Sequence, residues 1–559
     1  MPENLLCFGD NAYFLNERRD LFPDESVDLI YLDPPFNSQR PYNILFKDHK
    51  GTPSAAQIKA FDDTWTWDEV AQRNYEWLVT DAGFAPKALR DLMNTFNRFL
   101  GHSEMFAYLV QMATRLVMMH RVLKPTGSLY LHCDPTASHY LKLVLDAVFG
   151  ATNFRNEIIW KRTSAHSDPN RCGNVHDTVF SYAKSDSFTW NKTFQAYDPE
   201  YVSSYYRYED EDGRRFMSAD LSGAGEGPPR KFGDRGEIAP PEGRHWMFDQ
   251  EGIDKLLAEN RIFWTRNGVP RLKKFLDEAA GMPLQDVWAD VQALRSWHAE
   301  RLGYPTQKPV ELLKRIVAAS SNPGDVVLDP FCGCGTTIDA VETLNRENPD
   351  DEPRSWIGID ITHLAINLIK HRLARFEPLP DFRVVGEPES VDGASELAVA
   401  NRYQFQYWAL GLIGARPAAT DRKRGADEGI DGSFNFIDDN TGDARSVLIQ
   451  VKSGKVGVRD IRDFKGVLDR EDAEMGVFIT LEEPTGPMQK EAVSAGSYHS
   501  DGWNRDYPRI QILTIRQLLE DPDRPHPHCL RTPPRVLRDT FKEAPKHRNN
   551  NENQMELDG

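Results

Sequence analysis

A short turn that carries several chemically useful groups follows a strand near the start of the sequence. The apolar run Val27–Leu32 predicts a strand, and it ends in Asp33-Pro34-Pro35-Phe36. Proline cannot continue the hydrogen-bonded ladder of a sheet, so the strand should stop at Asp33 and the chain should turn with little freedom. The turn therefore presents a carboxylate, a main-chain carbonyl and an aromatic ring together.

This set of groups suits an exocyclic amine on a nucleobase. Such an amine is a poor nucleophile because its lone pair is delocalised into the ring. The Asp33 carboxylate and the Pro34 carbonyl would hold its two N–H groups, and Phe36 would stack on the base. A base in a duplex must first flip out of the helix, at a cost on the order of a few kcal/mol. The plain alternative is a tight turn after a strand, without any chemistry.

A second turn, rich in glycine, follows a strand predicted at residues 325–328. It reads Asp329-Pro330-Phe331-Cys332-Gly333-Cys334-Gly335-Thr336-Thr337. Its glycines would let a cofactor approach the backbone, and Asp360, which ends a later strand, is spaced to bind ribose hydroxyls. The turn lacks both the dinucleotide fingerprint and the phosphate-loop Gly-Lys-Ser/Thr, which favours a cofactor with a nucleoside but no pyrophosphate.

The elements around these turns predict an α/β fold. Short apolar strands alternate with helical patterns such as Ala107–Leu123 and Val310–Ser320, which is typical of a doubly wound parallel sheet. Ligands of such sheets bind at the carboxyl ends of the strands, so both turns should lie at one rim. Residues 160–300 are instead rich in aromatic and basic side chains with weak periodicity, which predicts an insert with its own fold.

These motifs, in this order, resemble the beta group of DNA amino-methyltransferases, which transfer a methyl group from S-adenosyl-L-methionine (SAM) to adenine N6 or cytosine N4. The Asp-Pro-Pro-Phe turn precedes the insert and the glycine turn follows it. Two further segments, Leu5–Asp10 and Gly303–Pro309, also match the family. The resemblance covers residues 1–378 and implies a Rossmann-like methyltransferase sheet, in which residues 160–300 are a target-recognition region.

The resemblance also implies roles for individual residues. The catalytic turn would be Asp33, Pro34, Pro35 and Phe36. The cofactor would be bound by Asp10, Lys308, Asp329, Phe331, Gly333, Gly335, Thr336, Thr337 and Asp360. Among these, Asp360 would bind the ribose, Asp10 the adenine amine, and Lys308 or Thr337 the methionine carboxylate.

The target is expected to be an amine in double-stranded DNA. Enzymes that methylate C5 of cytosine use a cysteine that follows proline, and none of the six cysteines here follows one. Within the family that the sequence resembles, the cytosine-N4 enzymes usually begin this turn with Ser, so the Asp-led turn implies adenine N6. The candidates for reading base edges are the basic side chains of the insert, Arg162, His166, Arg171, Arg230, Lys231, Arg244, Arg266 and Lys273.

A second candidate site lies beyond residue 396. The segment Gly425–Gly432 contains Asp431 and is followed by a strand whose Gln450 and Lys452, two residues apart, share one face. The oxygens of Asp431, Gln450 and the Val451 backbone suit Mg²⁺. Lys452 would stabilise charge on a phosphate.

This pattern resembles the Mrr-like PD-(D/E)xK restriction endonucleases, over residues 396–520. The resemblance implies that Asp431, Gln450 and Lys452 are catalytic and that Asp431, Gln450 and Val451 hold the metal. The family's Phe-Glu pair is replaced here by Phe405-Gln406. An inactive DNA-binding remnant and an ordinary αβ domain are the alternatives.

Length and composition limit the class of protein and the number of domains that can carry these sites. The chain has 559 residues, 40% of them hydrophobic, and a net charge of −18, which argues against a uniformly basic coat. The predicted organisation is a methyltransferase domain over 1–378, a linker over 379–395, a nuclease domain over 396–525 and a largely disordered tail over 526–559. Six scattered cysteines and no signal-peptide pattern predict a reducing cytosol and no membrane association. The resemblance to these enzyme families implies that this is the cytoplasm of a prokaryote.

The sequence thus predicts a site-specific adenine-N6 DNA methyltransferase fused to a nuclease-like domain, serving restriction–modification or phage defence. A homodimer and separate restriction or defence subunits are both compatible with it. One alternative is a cytosine-N4 enzyme whose last domain only binds DNA. The other is a non-catalytic DNA-binding regulator, against which the intact Asp33, Gly333, Gly335 and Asp360 argue.

Overall fold

The computed structural model describes residues 3–35, 66–163, 170, 172–295, 298, 300–302, 304, 306–418, 429–437, 444–521 and 527–534. The chain falls into two compact units. One is Lys192–Gln285, and the other combines Met1–Asn191 with Asp286–Gly559. Within the described ranges, no helix has the length and apolar character needed to cross a membrane.

The elements alternate along the chain. The helices among the described residues are α1 (Asn11–Glu17), α2 (Glu69–Thr80), α3 (Lys87–Leu100), α4 (Glu104–Val122), α5 (Ser138–Phe149), α6 (Pro199–Tyr205), α7 (Gln250–Ala258), α8 (Val310–Ser320), α9 (Thr336–Glu347), α10 (His363–Leu373), α11 (Val391–Ala400), α12 (Arg402–Leu412), α13 (Val458–Arg470), α14 (Gly486–Ser494) and α15 (Ile515–Glu520). The strands are β1 (Leu5–Phe8), β2 (Val27–Leu32), β3 (Leu123–Cys133), β4 (Phe154–Lys161), β5 (His176–Ala183), β6 (Phe194–Gln195), β7 (Tyr208–Glu209), β8 (Arg215–Ala219), β9 (Ser222–Ala224), β10 (Arg230–Lys231), β11 (Glu237–Ile238), β12 (Arg244–Trp246), β13 (Ile262–Trp264), β14 (Pro270–Phe275), β15 (Met282–Pro283), β16 (Val287–Trp288), β17 (Val326–Asp329), β18 (Ser355–Asp360), β19 (Arg383–Val385), β20 (Arg416–Pro417), β21 (Gly432–Ile437), β22 (Ala444–Lys452), β23 (Met475–Thr480), β24 (Ser497–Ser500), β25 (Arg505–Pro508) and β26 (Ile510–Thr514).

A nine-stranded sheet organises the larger unit. Its strand order is β16-β4-β5-β3-β2-β17-β18-β1-β19, and β5 runs antiparallel to both of its neighbours. All six residues of β2 are buried, as expected for a strand covered on both faces. The predicted α/β class is confirmed. Because β2, β17, β18 and β1 are consecutive neighbours, the segments that follow them meet at one edge.

Helix α4 packs against the same part of the sheet. Its N-cap Ser103 accepts a hydrogen bond from the amide of Phe106, and nearly all of its side chains are buried against the sheet and helices α1, α2 and α3. Its buried Arg115 is charged, so it must be paired there. This arginine belongs to the site described below.

The smaller unit lies inside the region predicted as an insert. It contains a four-stranded sheet in the order β13-β14-β8-β7 and a cluster of buried apolar side chains, Leu221, Phe232, Trp246, Ile253, Leu256 and Ile262. Strands β5 and β16, which fall within the predicted range 160–300, pair instead in the nine-stranded sheet. The reason is burial, since seven of the eight residues of β5 are buried.

A five-stranded sheet in the order β20-β21-β22-β23-β26 forms the core of the C-terminal domain. Two helices, α11 and α12, precede this sheet; the Asn401 side chain separates them, because it accepts hydrogen bonds from the amides of Tyr403 and Gln404 and so starts a new helix. The segment 379–395, predicted as a linker, contains β19. This strand pairs with β1 and extends the large sheet, because its backbone groups complete the ladder at that edge. Most of the tail predicted over 526–559 lies outside the described residues.

Candidate functional site

One cavity of about 320 Å³ opens at the carboxyl ends of β2, β17, β18 and β1. Both turns predicted from the sequence line it. The predicted residues along its wall are Asp10, Asp33, Pro34, Pro35, Lys308, Asp329, Phe331, Gly333, Thr336, Thr337 and Asp360. Gly335 does not line the cavity, and Phe36 lies outside the described residues.

The carboxylate of Asp33 has one engaged oxygen and one open oxygen. Its Oδ2 accepts a hydrogen bond from the ammonium of Lys308, a residue far away in sequence. Its Oδ1 is buried and has no hydrogen-bond partner within the described part of the chain. A buried acceptor left unpaired costs about 1–3 kcal/mol, so this oxygen is an open position for an N–H group of a ligand.

Lys308 pairs with Asp33 in the structure. The resemblance implies that Lys308 or Thr337 contacts the methionine carboxylate of the cofactor, which stays a prediction, and the ammonium of Lys308 contacts the Asp33 carboxylate. Asp33 and Lys308 are both largely buried, with side chains 16% and 10% exposed. The charge on each therefore stabilises the other, and Lys308 orients Asp33.

The glycine turn makes room for a ligand by backbone conformation. Gly335 has a φ of +74°, and a Cβ added there would lie 2.6 Å from Cγ1 of Ile369. Gly333 has a φ of +49°, and its Cβ would lie 3.2 Å from the ring of Tyr304. A side chain at either position would be strained and crowded. The amide of Gly333 donates to Oδ2 of Asp360 at 3.0 Å, which ties the turn to β18.

Two further carboxylates in the cavity are held by neutral donors alone. Burial raises the pKa of Asp360 to about 6, although Thr362 donates both its amide and its hydroxyl to Oδ1 at 2.8 Å. Burial raises the pKa of Asp329 to about 7, and the nearby carboxylates of Asp33 and Asp360 add to that shift. Thr337 donates its hydroxyl to Asp329 at 2.5 Å, so the hydroxyl predicted for the cofactor carboxylate is already engaged.

Sequence reasoning missed the group that holds Asp10. Arg115 donates to Oδ1 of Asp10 at 2.9 Å and to the amide oxygens of Asn11 at 2.6 Å and Gln111 at 2.8 Å. Asn11 in turn donates to the carbonyl of Pro330 at 2.7 Å, which joins this corner to the glycine turn. An arginine inside an apolar helix is the sequence signal that could have revealed it.

A buried chain of polar groups begins at the cavity lining with Tyr31. The hydroxyl of Tyr31 lies 2.9 Å from Nδ1 of His132, and Nε2 of His132 lies 3.3 Å from Oδ2 of Asp177. Burial raises the pKa of Tyr31 well above its usual range, and Asp33 and Asp329 add to this, so the phenol stays neutral. The chain of contacts joins β2, β3 and β5 beside the Asp33 turn.

The cavity fits a cationic nucleoside cofactor. Four carboxylates, those of Asp10, Asp33, Asp329 and Asp360, face only two described cations, Lys308 and Arg115. The excess of acceptors suits ribose hydroxyls, an adenine amine and a positively charged sulfonium. The glycine turn lets such a ligand approach the backbone closely.

The second candidate site lies where β21 begins beside β22. The amide of Asp431 donates to the carbonyl of Ile449 at 2.8 Å, and the amide of Val451 donates to Oδ2 of Asp431 at 2.6 Å. This pairing brings Asp431 next to Gln450, which is buried, and Lys452 follows on the same strand. Among the residues with described positions, no three His, Cys, Asp or Glu side chains form a metal cluster.

The basic side chains predicted to read bases have different surroundings. Lys231 and Arg266 are exposed, whereas Lys273 is buried and donates to Asn260 at 3.2 Å. Arg244 donates to the hydroxyl of Ser222 at 2.8 Å. His166 and Arg171 lie outside the described residues.

Comparison with known families identifies both parts of the chain. Residues 27–371, more than half of the chain, match the family described as DNA methylase. Residues 400–502 match the family described as restriction endonuclease.

Individual relatives agree with the first match. The chain is 48% identical to the type II methyltransferase M.HpaI of Haemophilus parainfluenzae, over 67% of this chain and 74% of that protein. It is 29% identical to the type II methyltransferase M.EcaI of Enterobacter cloacae, over 66% of this chain and 69% of that protein. Among solved structures it is similar to a DNA modification methylase of Thermus thermophilus solved in complex with SAM, at 15% identity and a TM-score of 0.31 over 68% of this chain and all of that one. The chain therefore belongs to the DNA methylase family and is a DNA methyltransferase of the restriction–modification type, with a fused restriction-endonuclease-like domain.

Proposed function

We propose that the chain transfers the methyl group of SAM to N6 of adenine in double-stranded DNA. The observation that carries this proposal is the Asp33 carboxylate, whose buried Oδ1 has no hydrogen-bond partner in the described part of the chain and which lines the same cavity as the glycine turn. An acceptor in that position requires a donor, and an exocyclic amine supplies one.

The chain's own residues would bind and orient the two reactants. Asp33 Oδ1 and the carbonyl of Pro34 would accept the two N–H groups of a flipped-out base, while Lys308 fixes Oδ2 of Asp33. Asp360 and Asp10 would accept hydrogen bonds from the ribose hydroxyls and the adenine amine of the cofactor. Bound SAM supplies the activated methyl group.

Positioning would provide most of the rate. Two groups held in reactive geometry gain a large effective concentration, and the rigid proline turn and glycine turn are both suited to that task. The unit Lys192–Gln285 would read the sequence around the target base.

Adenine is favoured over cytosine because the turn begins with Asp. The decisive test is incubation of plasmid DNA with the purified protein and SAM, followed by mass spectrometry of the nucleosides. We expect N6-methyladenine. Recovery of 4-methylcytosine alone would overturn the choice of base.

Asp33→Asn provides the test of the site, with Asp134→Asn as its matched control. Asp134 also follows a strand of the sheet and precedes a proline, but it does not line the cavity. We expect Asp33→Asn to lower the methylation rate at least about a hundredfold, with SAM affinity retained, because a neutral amide loses the ion pair with Lys308 and is a weaker acceptor for the base amine. Equal rates in the two variants would show that the site lies elsewhere.

We further propose that the restriction-endonuclease-like domain cleaves DNA in the presence of Mg²⁺. The support is the contact of the Asp431 carboxylate with the Val451 backbone, with Gln450 and Lys452 on the same strand. Asp431, Gln450 and the Val451 carbonyl would hold the metal, and Lys452 would stabilise charge on the scissile phosphate. Bound Mg²⁺ supplies a Lewis acid at that phosphate.

Cleavage is tested on unmethylated plasmid with and without Mg²⁺. We expect nicking or cutting that requires Mg²⁺ and is lost in Asp431→Ala and in Lys452→Ala. Lys455→Ala, which changes an exposed lysine nearby, is the control and should cut at the wild-type rate. Undiminished cutting in both test variants would reject this site.

A further inference from the structure

One residue that lines the cofactor cavity comes from the restriction-endonuclease-like domain. Tyr407 lies on α12, within the segment that matches restriction endonucleases, yet it lines the cavity together with Asp360 and Thr362. It is 4% exposed, so its position is set by packing. The same helix also presents Phe405 and Trp408 to the core of its own domain.

Helix α12 is fixed against α10, which begins directly after the Asp360 loop. The amide of His363 donates to the Gln404 side chain at 2.9 Å, and Asn367 donates to the carbonyl of Tyr407 at 2.7 Å. Gly411 backs onto Asn367 so closely that an added Cβ would overlap with the side-chain amide of Asn367. The two helices are therefore in close contact where the cofactor loop begins.

Helix α12, which carries Tyr407, also packs beside the candidate nuclease site. Helix α12 packs on β22, the strand that carries Gln450 and Lys452. One helix thus lines the cofactor cavity through Tyr407 and packs on the strand of the candidate nuclease site.

We propose that Tyr407 is a cofactor-positioning residue contributed by the restriction-endonuclease-like domain, and that cofactor binding in turn stabilises α12. The inference rests on the proposed use of SAM. SAM would contact Tyr407 only when α12 is folded and packed against α10, so SAM binding must stabilise that packing. By reciprocity, the packed helix must raise the affinity of the chain for SAM.

The first test measures the dissociation constant of SAM by calorimetry on the full chain. Tyr407→Ala should raise it at least about tenfold, whereas Tyr407→Phe, which keeps the ring, should stay within about threefold. Tyr403→Ala is the control, because Tyr403 is on the same helix but does not line the cavity. An unchanged constant in a folded Tyr407→Ala would overturn the inference.

The second test needs no variant. Hydrogen exchange of the wild-type chain is measured with and without SAM, and we expect slower exchange in residues 402–412 and in the glycine turn. Helix α14 should not change. Protection of the glycine turn without protection of α12 would reject the inference alone, whereas no SAM binding at all would reject the proposed function.

Discussion

The aspartates that line the cavity have different hydrogen-bond partners. Asp33 and Asp10 face the cations Lys308 and Arg115, whereas Asp329 has a hydroxyl and an amide as partners. Burial disfavours the charged carboxylate, and the two neutral donors offset only part of that cost. Burial therefore raises the pKa of Asp329 to about 7, and the nearby carboxylates of Asp33 and Asp360 add to the rise.

The raised pKa of Asp329 predicts a pH dependence of stability. The ordinary value is 3.8, so its proton stabilises the fold fully below that pH, and the stabilisation is lost as the pH rises through 7. Between pH 5 and pH 8 the free energy of unfolding of the wild type should therefore fall by about 2–3 kcal/mol more than that of Asp329→Asn. Urea unfolding at the two pH values measures the difference. Equal falls would mean that Asp329 is already ionised at pH 5.

At the scale of elements, four adjacent strand ends and the turns that follow them build the site. Pro34 and Pro35 stop β2, and Gly335, in the left-handed conformation, ends the turn that joins β17 to α9. The site is thus set by where strands end rather than by any one helix. The turn into α9 has space only for glycine at position 335, because an added Cβ would lie 2.6 Å from Cγ1 of Ile369.

Gly335→Ala should therefore destabilise the fold by more than left-handed backbone strain alone. We expect a loss of about 2–4 kcal/mol, combining about 1–2 kcal/mol for the backbone with the cost of the clash. Gly268→Ala is the control, since its φ of +73° is nearly the same and nothing lies within 4 Å of its added Cβ. Denaturant unfolding compares the two variants. Equal losses would show that the clash with Ile369 is relieved.

At the scale of the whole molecule, the contact between α10 and α12 joins the methyltransferase domain to the restriction-endonuclease-like domain. Gly411→Ala should separate these helices, because the new Cβ meets Asn367. We expect a loss of about 1–3 kcal/mol of stability, measured by denaturant unfolding, and weaker SAM binding, measured by calorimetry.

Gly466→Ala is the matched control for that variant. Gly466 lies in α13 of the same domain, and an added Cβ there meets open space. Alanine should raise the stability by up to about 1 kcal/mol through helix propensity and leave SAM affinity unchanged. Weakened binding in this variant would mean that the loss in Gly411→Ala is not specific to the α10–α12 contact.

The amino-acid sequence alone determined the α/β class, both turns and both families, because prolines and glycines constrain the chain locally wherever they occur. Only the tertiary structure decided that Lys308 holds Asp33, that Arg115 holds Asp10 and that Tyr407 lines the cavity. The members of the two pairs lie far apart in sequence, as Tyr407 does from the rest of the cavity lining, and their contacts depend on how strands and helices pack. No local pattern records which distant side chain will fill a given space.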